Sequence, residues 1–131
     1  MKFEKEQQTI KVGGIDIGGQ PGELPTVLVG SIFYDGHRIV SDPKRGTFDR
    51  KEAERLIRKQ EELSAKTGNP QMVDIVSSSS TAAERYIELV ADTVQAPMLV
   101  DSTLAEVKIA GVNHAAEVGL LDRIVYNSIT Y

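Results

Sequence analysis

The feature that most constrains the fold is the alternation, from Thr26 to Ser128, of short apolar runs with amphipathic helical patterns. The runs are rich in β-branched residues and nearly continuous, which is typical of strands covered on both faces in a parallel sheet. They are residues 26–33, 71–76, 98–100 and 123–128. Strands and helices that alternate in this way favour right-handed β-α-β crossovers. The sequence therefore predicts an α/β fold.

Each of the three helical patterns between these strands carries start and stop signals. Asp49 is a predicted N-cap for a helix that ends near Lys66, before Gly68. Ser80 or Thr81 is predicted to cap a second helix through Thr93, and a capping-box pattern at residues 103–106 begins a third that stops at Gly119. The positions predicted to face inward are Ala53, Leu56, Ile57, Gln60, Leu63, Tyr86, Ile87, Leu89, Val90, Val94, Val107, Ala110 and Val118.

Two segments lie outside this alternating pattern. Residues 9–17 alternate on either side of Gly13 and Gly14, which predicts a β-hairpin with a two-residue loop. Residues 34–48 form a long polar connection, and connections of that length are typical of functional or mobile loops, so this one is a candidate lid. We predict one domain over 1–131, with hairpin and linker in 1–25 and the alternating unit in 26–131.

Composition excludes several classes of function. The 131 residues carry a net charge of -4, which provides no basic surface for nucleic acid. There is no cysteine, and His37 beside Asp42 gives only two ligands, so we predict no bound metal. No apolar run approaches the ~20 residues of a membrane span, and the mixed charges at the start are not those of a signal peptide. A cytoplasmic location is the default expectation.

The candidate binding residues follow neighbouring predicted strands. Asp101 ends the third strand and Asn127 the fourth, and ligands of parallel α/β folds bind at the carboxyl ends of the strands. Asp74, within the second strand, is the next candidate. Each has a structural alternative, because Asp101 is also suited to cap a helix, Asn127 to form a turn and Asp74 to make a buried hydrogen bond. The residue types alone leave these alternatives open.

Several strings of this chain, in the same order, resemble the H subunit of tetrahydromethanopterin S-methyltransferase. They are GGQPGE at 18–23, VGSIFYDGH at 29–37, IVSD at 39–42, QEELS at 60–64, TGNP at 67–70, VDST at 100–103 and VYNSI at 125–129. The likeness runs from Phe3 to Ile129 and extends to the wider group of pterin-binding methyltransferases and dihydropteroate synthases. It implies that this chain is the amino-terminal half of an eight-stranded (β/α) TIM barrel.

The resemblance implies methyl transfer from N5 of a methyl-tetrahydropterin to the Co(I) state of a corrinoid on a partner protein. The pterin is either tetrahydromethanopterin or tetrahydrofolate. In this group the third strand ends in an Asp and the fourth in an Asn that bind the pterin ring, and these positions are Asp101 and Asn127 here. Asp74, within the second strand, is the next candidate for a pterin contact. A carboxylate suits paired N–H donors, and an amide suits a neighbouring donor and acceptor.

The chain departs from the family pattern in two respects. Ser77 to Ser80 stand where relatives place a Gly and a Glu, and a half barrel lacks the residues of strands five to eight. The catalytic residues are therefore unknown, and two hypotheses remain. Either the chain is part of a methyltransferase, peripheral to a membrane complex and working with its other subunits, or it is a noncatalytic pterin-binding or assembly module. In both cases exposed strand edges predict a homo-oligomer or a missing carboxyl-terminal half.

A different pterin enzyme is a third possibility. A synthase that joins a pterin to an aromatic amine carries an Asn-Val-Thr-Pro-Asp motif on its first barrel strand. This chain has Gly-Ser-Ile-Phe-Tyr at residues 30–34 instead. The sequence therefore disfavours that synthase.

Overall fold

A computed structural model describes residues 3–129 of this chain, and its elements follow the predicted order. Two short hairpins and an edge strand occupy the first part: β1 (Thr9–Val12), β2 (Ile15–Gly18), β3 (Leu28–Ile32), β4 (Val40–Asp42) and β5 (Thr47–Phe48). Helices and strands then alternate: α1 (Arg50–Thr67), β6 (Gln71–Val76), α2 (Ser80–Thr93), β7 (Met98–Asp101), α3 (Ala105–Glu117) and β8 (Ile124–Tyr126). A single 3-10 turn, Leu121–Arg123, precedes β8.

The central element is a four-stranded parallel sheet in the order β3-β6-β7-β8. Each strand lies beside its predecessor in the alternating pattern, and the helices between them contact the sheet as crossovers. The predicted α/β class and the parallel sheet are therefore confirmed. Within the described residues, β3 and β8 are the two edges of this sheet.

The core lies between the sheet and the three described helices. Val73, Ile75 and Val100 point from the strands towards the helices and are almost completely buried. An aromatic cluster closes the core near the carboxyl end of β3, where the Phe33 ring stacks on Tyr86 with centroids 4.1 Å apart. Full burial of each such side chain contributes about 1.5–3 kcal/mol, so this layer is a principal source of stability.

The helix boundaries follow their local signals in part. Asp49 caps α1, as predicted, by accepting a hydrogen bond from the Glu52 amide over 3.0 Å, and Gly68 ends it with φ of 76°. The cap of α2 is Ser79 rather than Ser80 or Thr81, and its Oγ accepts from the Ala82 amide. Several adjacent serines offer equivalent caps, so the sequence located this end only to within a residue or two.

The capping box predicted at residues 103–106 is wrong. Leu104 occupies the N-cap position of α3 and makes no side-chain cap hydrogen bond. Ser102 Oγ instead accepts from the Leu104 amide over 3.2 Å. The Leu104 amide therefore has its acceptor in the hydroxyl of Ser102, two residues upstream, whereas Thr103 is exposed.

Two of the predicted inward positions are also wrong. Val118 is 47% exposed because it lies just beyond the end of α3, where the helical periodicity no longer applies. Leu63 is 43% exposed on the last turns of α1. A helix of 18 residues spans about 27 Å and β3 about 17 Å, so the helix extends past the strand it covers.

Residues 34–48 are not one long irregular loop. They contain the β4–β5 hairpin, and Ile39 just before it is buried in the core. The Phe48 ring meets Phe33 edge-on at 5.0 Å, and the Lys44 carbonyl accepts a hydrogen bond from Ser79 Oγ. The few apolar residues that attach this segment to the core are separated by polar residues and glycines, so they form no recognisable strand pattern in the sequence.

The predicted amino-terminal hairpin is confirmed. Gly13 and Gly14 form its loop with φ of 51° and 82°, values that glycine adopts at low cost. The Gly13 amide donates to the Asp122 carbonyl over 2.9 Å, just before β8. A Cβ at Gly13 would meet Pro97 and Arg123, so the hairpin loop packs closely against the amino-terminal end of the sheet.

Candidate functional site

One face of the sheet is covered by helices, and the opposite face carries a polar cluster at its carboxyl end. Side chains alternate along each strand, so those that neighbour the helix-facing Val73, Ile75 and Val100 belong to this opposite face. The polar residues here come from all four strands or the residues directly after them: Ser31, Asp74, Asp101 and Asn127. We name this set the rim cluster.

Asp74 is the centre of the rim cluster. It is only 7% exposed, although it lies on the face that no described helix covers. Ser31 is its register partner on β3, and Ser31 Oγ donates to Asp74 Oδ2 over 2.7 Å. Asn127 Nδ2 lies 3.4 Å from Asp74 Oδ1, a long hydrogen bond from the other side. These two donors, on opposite sides of Asp74, hold the carboxyl group in a fixed orientation.

The environment raises the pKa of Asp74 above its usual value. Burial is the main cause, because it disfavours the charged form. The hydrogen bond from Ser31 acts in the opposite direction, the negative charge of Asp101 raises the pKa further, and the bond from Asn127 lowers it. Asp74 therefore holds its proton more tightly than an exposed aspartate would, in a cluster where a second acid lies nearby.

Asp101 ends β7 beside this centre. Its register partner on β6 is Val76, two residues beyond Asp74 on the same face, and its side chain is partly buried. It does not cap α3, whose first turn has no side-chain cap bond. Its backbone carbonyl accepts from the Ser77 amide over 3.0 Å, which holds the end of β7 against β6. The capping alternative for Asp101 is wrong, and its carboxylate belongs to the rim cluster.

Asn127 follows β8 and continues its ladder. Its amide N–H donates to the Val100 carbonyl over 3.1 Å, although the strand ends at Tyr126 rather than at the predicted Ser128. Ser128 then adopts a positive φ of 58°, which turns the chain away. Asn127 is thus both the turn residue that its type suggests and a member of the rim cluster.

The three predicted site residues therefore lie together, and the structure adds two that were not predicted. Ser31 orients Asp74, and Lys108 from α3 reaches the carbonyls of Asn127 and Ser128. A signal existed for each residue. Ser31 is a polar residue inside an apolar strand pattern, and Lys108 occupies an inward helical position beside Val107.

The remaining candidates serve local structure. His37 Nδ1 accepts from the Phe33 amide over 3.2 Å, and burial followed by the charge of Arg38 lowers the His37 pKa, which favours the neutral acceptor form. Asp42 accepts from the amides of Lys44 and Arg45 in the β4–β5 turn. Between Phe3 and Ile129, no three His, Asp or Glu side chains come together as a metal site would require. Ser79 acts as the cap of α2.

His114, on α3, lies in a partly covered position. Its side chain is 15% exposed, and its Nε2 lies 3.1 Å from Glu88 Oε1. The contact joins α3 to α2. His114 is thus an interhelical contact residue remote from the rim cluster.

The arrangement defines a class of protein: a parallel α/β protein with an acid-and-amide cluster at the carboxyl edge of its sheet. Two carboxyl groups and one amide can accept several hydrogen bonds from the edge of a planar N–H-rich ring. The adjacent side chains of this face, Met72, Leu99 and Val125, are apolar and lie two positions nearer the amino end of their strands. The cluster is thus polar at its edge and apolar beneath.

Comparison with known proteins identifies the family. The sequence profile described as tetrahydromethanopterin S-methyltransferase MtrH subunit matches residues 5–131. Because this match covers nearly the whole chain, the chain belongs to that family, as the sequence strings predicted.

Curated relatives agree with this assignment. The tetrahydromethanopterin S-methyltransferase H subunit of Methanopyrus kandleri is 56% identical over 95% of this chain and 39% of its own length. The corresponding protein of Methanothermobacter thermautotrophicus is 52% identical over 98% of the chain and 41% of its own length. That of Methanocaldococcus jannaschii is 45% identical, with 98% and 40% covered. The chain thus spans about two fifths of the length of these relatives.

Within residues 3–129, no helix combines the length and the apolar character needed to cross a membrane.

Proposed function

We propose that this chain forms part of the pterin site of a methyltransferase. The methyl group moves from N5 of methyl-tetrahydromethanopterin to a Co(I) corrinoid carried by a partner protein. The observation that carries the proposal is the rim cluster, in a chain of the MtrH family, with Asp74, Asp101 and Asn127 converging from three neighbouring strands. We assign all three to binding of the pterin ring.

The chemistry of the residues supports this assignment. The edge of a pterin ring presents an amino group and ring N–H groups beside a carbonyl oxygen. Carboxylates match the paired donors, while the Asn127 amide can bind both a donor and an acceptor. Asp74 is already oriented by Ser31, so the site is organised before a ligand arrives. The raised pKa of Asp74 means that its carboxyl group holds a proton more tightly than an exposed aspartate would.

The reaction demands positioning rather than a nucleophile from this chain. In the transfer, the C–N5 bond breaks with its electron pair left on nitrogen, and N5 gains a proton, because a tertiary amine is otherwise a poor leaving group. The reduced corrinoid, when bound, supplies the nucleophile. The rim cluster holds the ring in one orientation so that the methyl group faces the acceptor. We assign no proton donor for N5 to the residues described.

The free edges of the sheet support a larger (β/α) barrel. β3 and β8 end the four-stranded sheet, and three described helices cover only one face. Ile109 and Leu121, on the elements that flank β8, are each about half exposed. An uncovered strand edge next to apolar surface favours association with further strands and helices. We propose that the sheet is half of an eight-stranded TIM barrel, which fits relatives that are longer than this chain.

The relatives' names guide the choice of substrate and partners. They are named for tetrahydromethanopterin and as subunits, so we propose tetrahydromethanopterin over tetrahydrofolate and a complex with other methyltransferase subunits. A corrinoid protein is the proposed methyl acceptor. We further propose a cytoplasmic location, peripheral to a membrane complex.

The test is a binding titration with methyl-tetrahydromethanopterin, using the complete protein that the gene encodes. Asp101→Asn is expected to weaken binding by at least about tenfold, because a hydrogen bond to a charged acceptor is worth about 1.5–3 kcal/mol. Asp122→Asn, an exposed aspartate at the opposite end of the sheet, is the matched control and should bind like the wild type. Equal affinities for both variants would contradict the assignment of Asp101.

A second measurement separates an enzyme from a binding module. The protein is mixed with methyl-tetrahydromethanopterin and cob(I)alamin, and methyl transfer is followed by loss of the Co(I) absorbance. Turnover that falls in Asp101→Asn supports the methyltransferase. Binding without turnover, even with the other subunits present, would indicate a noncatalytic module.

A further inference from the structure

Lys108 is a lysine whose side chain lies inside the protein. It is 1% exposed and is the fourth residue of α3. Burial of an ammonium group is costly unless its donors are satisfied, and lysine is among the residues that are rarely buried completely. A position near the amino end of a helix is also unfavourable for a positive charge. A methionine of similar shape would avoid both costs.

The partners of Lys108 all belong to one short segment. Its Nζ donates to the carbonyl of Asn127 over 3.2 Å and to the carbonyl of Ser128. It also lies 4.9 Å from the centre of the Tyr126 ring, within the range of a cation–π contact. Within residues 3–129, none of the ion pairs includes Lys108. The ammonium therefore binds the segment that follows β8 rather than a carboxylate.

This segment needs an external constraint. Ser128 adopts a positive φ of 58°, a region that non-glycine residues rarely occupy without surrounding support. The turn directs two successive carbonyl groups towards Lys108, while the side chain of Asn127 reaches Asp74. The backbone bonds to Lys108 and the side-chain bond to Asp74 therefore act on the same residue.

We propose that Lys108 is a positioning residue: it fixes the backbone of Asn127 and Ser128 and thereby directs the Asn127 amide into the rim cluster. The part of this inference that concerns ligand affinity rests on the proposed pterin site. The contact of Lys108 with the backbone of Asn127 and Ser128, which we call the tether, does not depend on that site and can be tested without any ligand.

The first experiment measures hydrogen–deuterium exchange in the complete protein without ligand. Lys108→Met removes the ammonium group and keeps an apolar stem of similar length. We expect the Asn127 amide, which bonds the Val100 carbonyl, to exchange at least about tenfold faster in this variant, with amides of β6 unchanged. Lys51→Met, an exposed lysine at the start of α1, is the control. Unchanged exchange at Asn127 in Lys108→Met would overturn the proposal.

The second experiment is a double-mutant cycle on the affinity for methyl-tetrahydromethanopterin. Lys108→Met and Asn127→Ala should each weaken binding by about tenfold. If Lys108 acts through Asn127, the double variant should bind like Asn127→Ala alone, to within about twofold. If the double variant instead loses affinity by the product of the two single losses, Lys108 acts independently of Asn127, and the positioning role is contradicted.

The two experiments separate the possible failures. If the wild type does not bind the pterin, the proposed function fails, and the exchange result still decides the tether. If Lys108→Met does not fold, Lys108→Gln, which keeps a donor for one carbonyl, replaces it in both experiments. The Gln variant should then show exchange at Asn127 that is faster than in the wild type, and wild-type exchange would again overturn the proposal.

Discussion

The two ends of the parallel sheet use buried cations in the same way but differ in what covers them. At the amino end, Arg123 is buried, and its guanidinium donates to the carbonyls of Val94 and Ala96. At the carboxyl end, Lys108 donates to the carbonyls of Asn127 and Ser128. The amino end is closed by the hairpin loop at Gly13. No described element covers the rim cluster in the same way.

This difference supports our proposal that the carboxyl end of the sheet is the ligand site. The guanidinium of Arg123 binds carbonyls that precede β7, and burial lowers its pKa. In the rim cluster at the carboxyl end, the negative charge of Asp101 acts on Asp74, and the burial of Asp74 makes its own charge unfavourable. Two acids near each other at the uncovered carboxyl end of the sheet destabilise the folded state, and such destabilising groups are concentrated at ligand sites. At the amino end the buried charge binds backbone carbonyls, whereas at the carboxyl end a second acid of like charge adds to the effect of burial on Asp74.

The largest expected effect is at the amino end. Arg123→Met should lower the free energy of unfolding by about 3 kcal/mol, because the carbonyls of Val94 and Ala96 lose their donors in a buried position. Urea denaturation measures it, and the exposed Arg58→Met should stay within about 0.5 kcal/mol of the wild type. A loss in Arg123→Met no larger than in the control would mean that the amino end is not locked by this residue.

An intermediate effect is expected from Asp74→Asn as a function of pH. The folded-state pKa of Asp74 lies above its ordinary value of 3.8, so its folded state binds the proton more tightly than its unfolded state. The wild type therefore loses stability, relative to Asp74→Asn, as the pH rises from about 3.8 through the folded-state pKa, and the difference is constant above it.

The measurement is the difference in unfolding free energy between the two proteins at a series of pH values. Carboxyl groups remote from Asp74 contribute equally to both proteins and cancel, whereas the interaction between Asp74 and Asp101 is part of the difference that is measured. The prediction is wrong if the wild type instead gains stability relative to Asp74→Asn as the pH rises, because the carboxylate of Asp74 would then be stabilised in the folded state.

The smallest effect tests the start of α3 at the carboxyl end. Ser102→Ala should cost about 0.5–1 kcal/mol, since the Leu104 amide loses its acceptor. Thr103→Ala should stay within about 0.5 kcal/mol of the wild type, because Thr103 is exposed and makes no cap bond. Thermal unfolding of the two variants decides between the observed cap and the capping box. The reverse order of effects would restore the capping box.

Most of the fold was predictable because its signals are local. Gln71–Val76 is a strand with the predicted limits, and Asp49 and Gly68 mark the ends of α1 through side-chain and backbone preferences that neighbours in sequence provide. The β4–β5 hairpin was missed because its attachment depends on Phe48 meeting Phe33 and Tyr86, residues far apart in the chain. Local patterns do not report such contacts.

The site was predictable to a similar degree. Asp101 and Asn127 could be selected because strand ends are visible in the sequence, and their convergence follows from the parallel order of the strands. The importance of Ser31 and Lys108 could not be read in this way. Each acts on a residue distant in the sequence, Ser31 on Asp74 and Lys108 on Asn127.

The sequence by itself determined the order of strands and helices, the amino-terminal hairpin, and the placing of an acid and an amide at successive strand ends. Only the tertiary structure decided which face of the sheet the helices cover, and therefore that Asp74 belongs to the opposite face with Asp101. It also decided that the charge of Lys108 is buried against the segment of Asn127. The physical reason is that periodicity fixes which side chains share a face, whereas burial and charge depend on what packs against that face.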